Sequence, residues 1–197
     1  MFFAGCAVVT AVYFALRSVF IEPKALHVTR HTVDLPAYQG LSRLTILHLT
    51  DLHLWEFGKR ERLLLDKVRR VKPDVMVLTG DYAESEKGLR ALDRLLVSLT
   101  ETAPCYAVYG DNDHEDPAYE RELGRLFAKH GAVLLRNSAA LHTAGRQAVL
   151  VVGLDDPNSG RSDVDCARRD AVRRLEAGGY PPLRDFPAIV LAHSPEI

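Results

Sequence analysis

The chain predicts an α/β domain. From residue 44 onward, short apolar, β-rich runs alternate with amphipathic helical stretches, and several of these runs end in Gly, Asp, Asn or His. At 197 residues and 47% hydrophobic, the chain is long and apolar enough to bury a core, which excludes a disordered or fibrous protein.

Taken in order, residues 1–16 (MFFAGCAVVTAVYFAL) carry no charged side chain. Arg17 interrupts, and residues 18–21 extend the run to the roughly 18–20 residues of a spanning helix if Arg17 snorkels to an interface. Residues 1–21 are therefore expected to form a transmembrane or signal-anchor helix, giving a single-pass membrane protein. A cleaved signal peptide and a buried core helix are the competing readings. Arg17, Lys24 and Arg30 would place the globular part in the cytoplasm under the positive-inside rule, and the side of the membrane is left open.

Residues 22–43 read as a linker and a first strand. Residues 28–35 alternate in strand fashion before Pro36 and Gly40 break the pattern. Residues 44–49 (LTILHL) form the next strand. Residues 59–71 form a helix with Leu63, Leu64, Val68 and Val71 on one side and Lys or Arg elsewhere. Residues 74–79 are a buried strand entered through Pro73 and closed by Gly80-Asp81. A leucine-rich helix over 88–99, a strand over 105–109 and a helix over 118–130 follow. Strands at 133–135 and 148–152, an Arg-rich helix over 162–178 and a last strand over 188–192, ended by His193, complete the pattern. No internal repeat is present.

Several function classes fall away. Lys plus Arg is 25 and Asp plus Glu is 26, so the net charge of −1 argues against nucleic acid as a partner. The pairs Arg168-Arg169 and Arg173-Arg174 stand among Asp163, Asp165, Asp170 and Glu176, which reads as a solvated helix face. Three scattered cysteines make neither a disulfide framework nor a Cys-rich zinc site. There is no G-x-S-x-G, no P-loop and no G-x-G-x-x-G.

The chemistry sits at four strand ends: Asp51-Leu52-His53, Gly80-Asp81, Gly110-Asp111-Asn112-Asp113-His114, and His193. In open α/β sheets, ligands bind beyond the carboxyl ends of the strands. Carboxylate oxygen and imidazole nitrogen suit divalent first-row metals. One carboxylate can bridge two ions roughly 3.5–4 Å apart, and a water held between them becomes hydroxide near neutral pH and attacks phosphorus in line.

These blocks, in this order, resemble the calcineurin-like metallophosphoesterase superfamily, whose motifs run D-x-H, G-D, G-N-H-[DE], H and G-H-x-H. The matching stretches are LTILHLTDLHL, PDVMVLTGDY, YAVYGDNDHE and IVLAHSPE, so the resemblance spans residue 44 to the end. The hydrophobic start, Ile21-Glu22-Pro23 and residues 152–157 (VGLDDP) resemble the membrane-associated, UDP-2,3-diacylglucosamine-pyrophosphatase-like branch.

The resemblance implies an α/β/β/α sandwich and a metal-dependent phosphohydrolase, such as a phosphodiesterase, that cleaves a phosphoester or pyrophosphate bond. It implies two divalent ions (Mn, Fe, Zn or Mg) and a phosphorylated small-molecule or lipid-linked substrate. Carried over by position, Asp51 and His53 bind one metal, Asp81 bridges and His193 binds the second. The third block departs from the pattern. Read without a gap, Asp111 replaces the usual Asn ligand and Asn112 replaces the usual His, which removes the general acid. Read with a shift, Asn112 is the ligand and His114 the acid. The chain also stops four residues after His193 with no G-H-x-H, so a fragment of a longer protein is expected. A non-catalytic binding module or truncated, inactive paralogue of the same fold is the alternative.

Overall fold

The computed structural model describes residues 13–14, 26–34, 43–144 and 147–196. Its elements are β1 (Ile46–Leu49), α1 (Lys59–Val71), β2 (Val75–Thr79), α2 (Glu86–Thr102), β3 (Cys105–Val108), α3 (Pro117–Lys129), β4 (Val133–Leu134), β5 (Ser138–Ala144), β6 (Gln147–Gly153), α4 (Val164–Ala177) and β7 (Ala188–Leu191). Short 3-10 turns cover Asn112–His114 and Leu183–Asp185.

Two sheets result. β1-β2-β3-β4 is parallel throughout, and β5-β6-β7 pairs β5 with β6 antiparallel and β6 with β7 parallel. Every residue of β2 and β3 is buried. That is why VMVLT and CYAV carry no polar alternation: helices cover one face of the sheet and the second sheet covers the other. Leu65 and Val68 of α1, the α2 leucines at 92, 95, 96 and 99, and Leu123 and Phe127 of α3 fill the outer layer of the first sheet. Ala167, Ala171 and Leu175 of α4 pack on the second sheet beside Leu150 and Val152. Val75, Val77, Tyr106, Val108, Val151 and Leu191 meet between the sheets. The layers are α/β/β/α.

Local chemistry sets the helix starts. The Ser85 hydroxyl accepts from Gly88 N at 3.1 Å, Asp116 accepts from Ala118 N ahead of Pro117, and Asp163 accepts from Cys166 N at 2.7 Å.

The expected strand over 28–35 does not form within residues 26–34, where residues 27–34 are exposed. The expected helix over 1–21 lies outside the described residues except for Tyr13 and Phe14, which are helical and exposed. Among the described residues no helix is long and apolar enough to cross a membrane. β5 was not expected from sequence at all.

Candidate metal centre

The loops leaving β1 and β2 are stitched together before any side chain acts. Asp51 N donates to Gly80 O, His53 N to Asp81 O at 2.9 Å, and Leu54 N to Tyr82 O at 3.0 Å. This irregular ladder stabilises three left-handed residues that are not glycine: Asp51, His53 and Asp81, at φ 50°, 40° and 58°. Such backbone costs on the order of 1 kcal/mol per residue and concentrates at functional sites.

The result is two ligand-type triads. Asp51, His53 and Asp81 offer donor atoms that all lie within 4.8 Å of one another, and so do Asp81, Asp111 and His193. Asp81 belongs to both. His53 Nε2 stands 3.5 Å from Asp81 Oδ2 and 3.8 Å from Asp51 Oδ1. His193 Nε2 stands 3.7 Å from Asp81 Oδ1 and 3.2 Å from Asp111 Oδ1.

Both imidazoles are oriented by their other nitrogen. His193 Nδ1 donates to the Thr79 carbonyl at 2.7 Å, which turns Nε2 toward the carboxylates. His53 Nδ1 is hydrogen-bonded to Glu84 Oε1. Holding an imidazole from behind is the usual device of a metal-ligating histidine. Burial alone would lower the His193 pKa, but the Thr79 carbonyl and the carboxylates of Asp81, Asp51 and Asp111 outweigh it and raise it.

Asp81 is buried, and burial pushes its carboxyl up, as does the Asp111 charge, against the pull of His193 and His53. Its Oδ1 is buried without any hydrogen-bond donor. A buried anionic oxygen lacking a donor, flanked by two imidazole nitrogens, fits a cation. The surrounding backbone leaves room for one: a Cβ on Gly110 would lie 2.3 Å from Asp81 Oδ1.

Asp113 joins the loops. Its carboxylate accepts from Asp81 N at 2.9 Å, Tyr82 N at 3.2 Å and Gly110 N at 2.8 Å. Burial raises its pKa to about 6 despite those three donors.

Of the residues singled out from sequence, Asp51, His53, Asp81, Asp111 and His193 are brought together. Asn112 is beside them, its amide donating to Asp81 Oδ2 at 2.8 Å. His114 is not with them. It is buried, stacked near Tyr109, with Nε2 2.7 Å from Asp155 Oδ1 and Nδ1 3.0 Å from Glu120 Oε2. Asp111 thus stands with the ligand-type cluster, and both His114 nitrogens are engaged outside it. Glu84 was not singled out as a site residue, and Asp113 was named in the third block without a role of its own. Glu84 is three residues beyond Asp81 and carries no spacing signal of its own.

An α/β sandwich whose strand tips gather oxygen and nitrogen donors around a shared carboxylate defines a metal-binding domain of the phosphoesterase kind. The chain belongs to the calcineurin-like phosphoesterase family, which matches residues 44–195. It is 27% identical over 175 residues to an uncharacterized metallophosphoesterase, YkoQ, of Bacillus subtilis (strain 168), covering 85% of this chain and 60% of that protein. It is 26% identical over 183 residues to the phosphodiesterase YaeI of Escherichia coli (strain K12), covering 90% and 62%. It is 34% identical over 100 residues to the UDP-2,3-diacylglucosamine pyrophosphatase LpxG of Chlamydia trachomatis serovar D, covering 48% and 30%. The chain spans about three fifths of the length of YkoQ and YaeI.

Proposed function

We propose that this domain is a metal-dependent phosphohydrolase that cleaves a phosphodiester or pyrophosphate bond. The observation that carries the reading is Asp81, a buried carboxylate common to both triads with one oxygen unpartnered. On this reading Asp51 and His53 hold one divalent cation, Asp111 and His193 a second, and Asp81 serves both. Cations at such a site supply Lewis acidity to a phosphoryl oxygen and lower the pKa of water.

The chain's own residues do the rest. Glu84 and the Thr79 carbonyl fix the two imidazoles, Asp113 holds the β2 and β3 loops in register, Gly110 keeps the space over Asp81 Oδ1 clear, and Gly80 lets the Gly110 backbone approach closely. Asn112 can donate a hydrogen bond to a substrate oxygen but cannot deliver a proton. Departure without a side-chain acid favours leaving groups that are stable as anions, namely a phosphate of a pyrophosphate or an acidic alcohol of a diester. The names of the YaeI and LpxG relatives, a phosphodiesterase and a pyrophosphatase, support the same two bond classes. The LpxG name extends the substrate range to a lipid-linked pyrophosphate.

The test is hydrolysis of bis(p-nitrophenyl) phosphate after chelator treatment and titration with Mn²⁺. Activity should return with metal in the unmodified chain and stay at background in Asp81→Asn. Equal metal-dependent rates in the two would overturn the reading.

A further inference from the structure

The charge of this chain is nearly balanced as a whole and strongly unbalanced in one place. Residues 59–72 contain seven Lys or Arg and two carboxylates, an excess of five positive charges in a protein of net charge −1. One of those carboxylates, Glu61, is buried and bound to Gly58 N at 2.7 Å, so it neutralises little at the surface.

The periodicity of α1 sorts the cations outward. Leu65 and Val68 are buried in the core and Leu64 packs against it. Lys59, Arg62, Lys67, Arg69 and Arg70 fall on the opposite side of the 3.6-residue repeat. Only Arg69 is paired among the described residues, to Asp66 at 3.6 Å. α4 is the useful contrast. Its Arg168, Arg173 and Arg174 are each bonded to Asp165 or Asp170 on the same helix.

Apolar groups are interleaved with the unpaired cations. Leu63, in the middle of the outward face, is 42% exposed. Trp55, in the loop that leads into α1 and two residues past His53, is 67% exposed. β1, the strand before this loop, is the edge of its sheet among the described residues, and the uncharged run of residues 1–16 precedes it in the chain.

We propose that the outward face of α1, with Trp55 at its amino end, docks on an anionic phospholipid bilayer. Unpaired Lys and Arg meet lipid phosphates, while Trp55 and Leu63 enter the headgroup layer, as amphipathic side chains do at such interfaces. An anionic bilayer is favoured over a nucleic acid because exposed aliphatic surface lies at the centre of the cationic face, and because an uncharged segment of near-spanning length lies upstream. The loop from His53 to Trp55 joins this face to the candidate metal centre along the chain. The proposal does not depend on catalysis.

The experiment is co-sedimentation of the full chain with phosphatidylcholine vesicles and with vesicles containing about one third phosphatidylglycerol. Vesicles of neutral lipid report whatever residues 1–21 contribute, and the increment on anionic lipid reports α1. Anionic vesicles should bind more chain, less so at high salt, and should shift the emission of Trp55, the chain's single tryptophan, to shorter wavelength. The triple variant Arg62→Gln, Arg69→Gln, Arg70→Gln should lose about tenfold or more of the anionic increment. It should leave binding to neutral vesicles and hydrolysis of a soluble aryl diester unchanged. The control Arg168→Gln, Arg169→Gln, Arg173→Gln on α4 should keep the increment. No preference for anionic lipid, an unchanged α1 variant or an equal loss in the α4 variant would overturn the proposal. So would tighter binding to a single-stranded RNA that is lost in the α1 variant. Failure of the chain to hydrolyse the soluble diester would count against the enzymatic reading alone.

Discussion

The metal centre and the His114 cluster are made from the same side chains and lie in adjacent loops at the strand tips, yet they are built to opposite ends. Around His114 the imidazole and its two carboxylate partners are matched. Its two nitrogens face Asp155 and Glu120, Arg136 bridges the same two carboxylates at 2.5 and 2.7 Å, and Arg161 adds a bond to Glu120 at 2.9 Å. Around Asp81 a buried oxygen has no donor, three residues hold left-handed backbone, and three carboxylates crowd two imidazoles. The difference teaches that an Asp/His cluster is read by its unmatched atoms. A closed network holds loops in place, and an open one waits for a ligand.

The contrast can be broken most severely at its two centres. Asp81→Asn should cut turnover by about a thousandfold or more, roughly 4 kcal/mol. It should leave the metal-free chain as stable as before or slightly more so, because it removes a buried carboxyl whose ionisation the fold disfavours. Steady-state kinetics and thermal unfolding in chelator check the two halves. Asp155→Ala should do the reverse. Losing the partner of His114 and Arg136 in a site with no exposure should cost about 3–5 kcal/mol in denaturant unfolding, with activity per folded molecule kept within a few-fold. If Asp155→Ala abolished activity at full stability, the two clusters would be one functional unit.

Smaller changes sharpen the comparison. Glu84→Gln weakens the hold on His53 and should reduce Mn²⁺ affinity by about 10- to 100-fold, measured by calorimetry, with little loss of stability. Asp170 lies between the two extremes, half-buried against a backbone N–H and paired to exposed arginines. Burial alone would raise its carboxyl, but Ala139 N and Arg174 and Arg173 hold it down to about 2. A depressed carboxyl stabilises the fold above its unfolded pKa near 4, and that contribution is lost as pH falls toward 2. Asp170→Asn should therefore cost about 1–2 kcal/mol at pH 7. The deficit should shrink between pH 4 and 2 in unfolding curves.

Much of this was legible in the residues. β2 and β3 are short apolar runs closed by Gly-Asp, and the ligand-type residues follow the strand tips directly, so their convergence needed only the parallel sheet. β5 was not legible. Ser138–Ala144 is built of small and polar residues, and its strand character comes from seven paired positions along β6 rather than from its own pattern. Residues 28–34 show the converse, an alternating stretch that forms no strand and stays exposed. The two readings of the third block, Asp111 with Asn112 or Asn112 with His114, were not separable by spacing. The placement of His114 follows from Glu120 and Asp155, one of which lies 41 residues from it in sequence.

One atom of the centre has an evolutionary consequence. The lock behind His193 is the Thr79 carbonyl, which also accepts from the Thr50 hydroxyl at 3.2 Å. Because that acceptor belongs to the main chain, no single codon change at position 79 deletes it. The lock behind His53 is the Glu84 side chain, which one nucleotide can remove. Under genetic drift the two halves should therefore decay unequally, with the Asp51–His53 half the first to vary among descendants and the His193 half the more persistent inheritance.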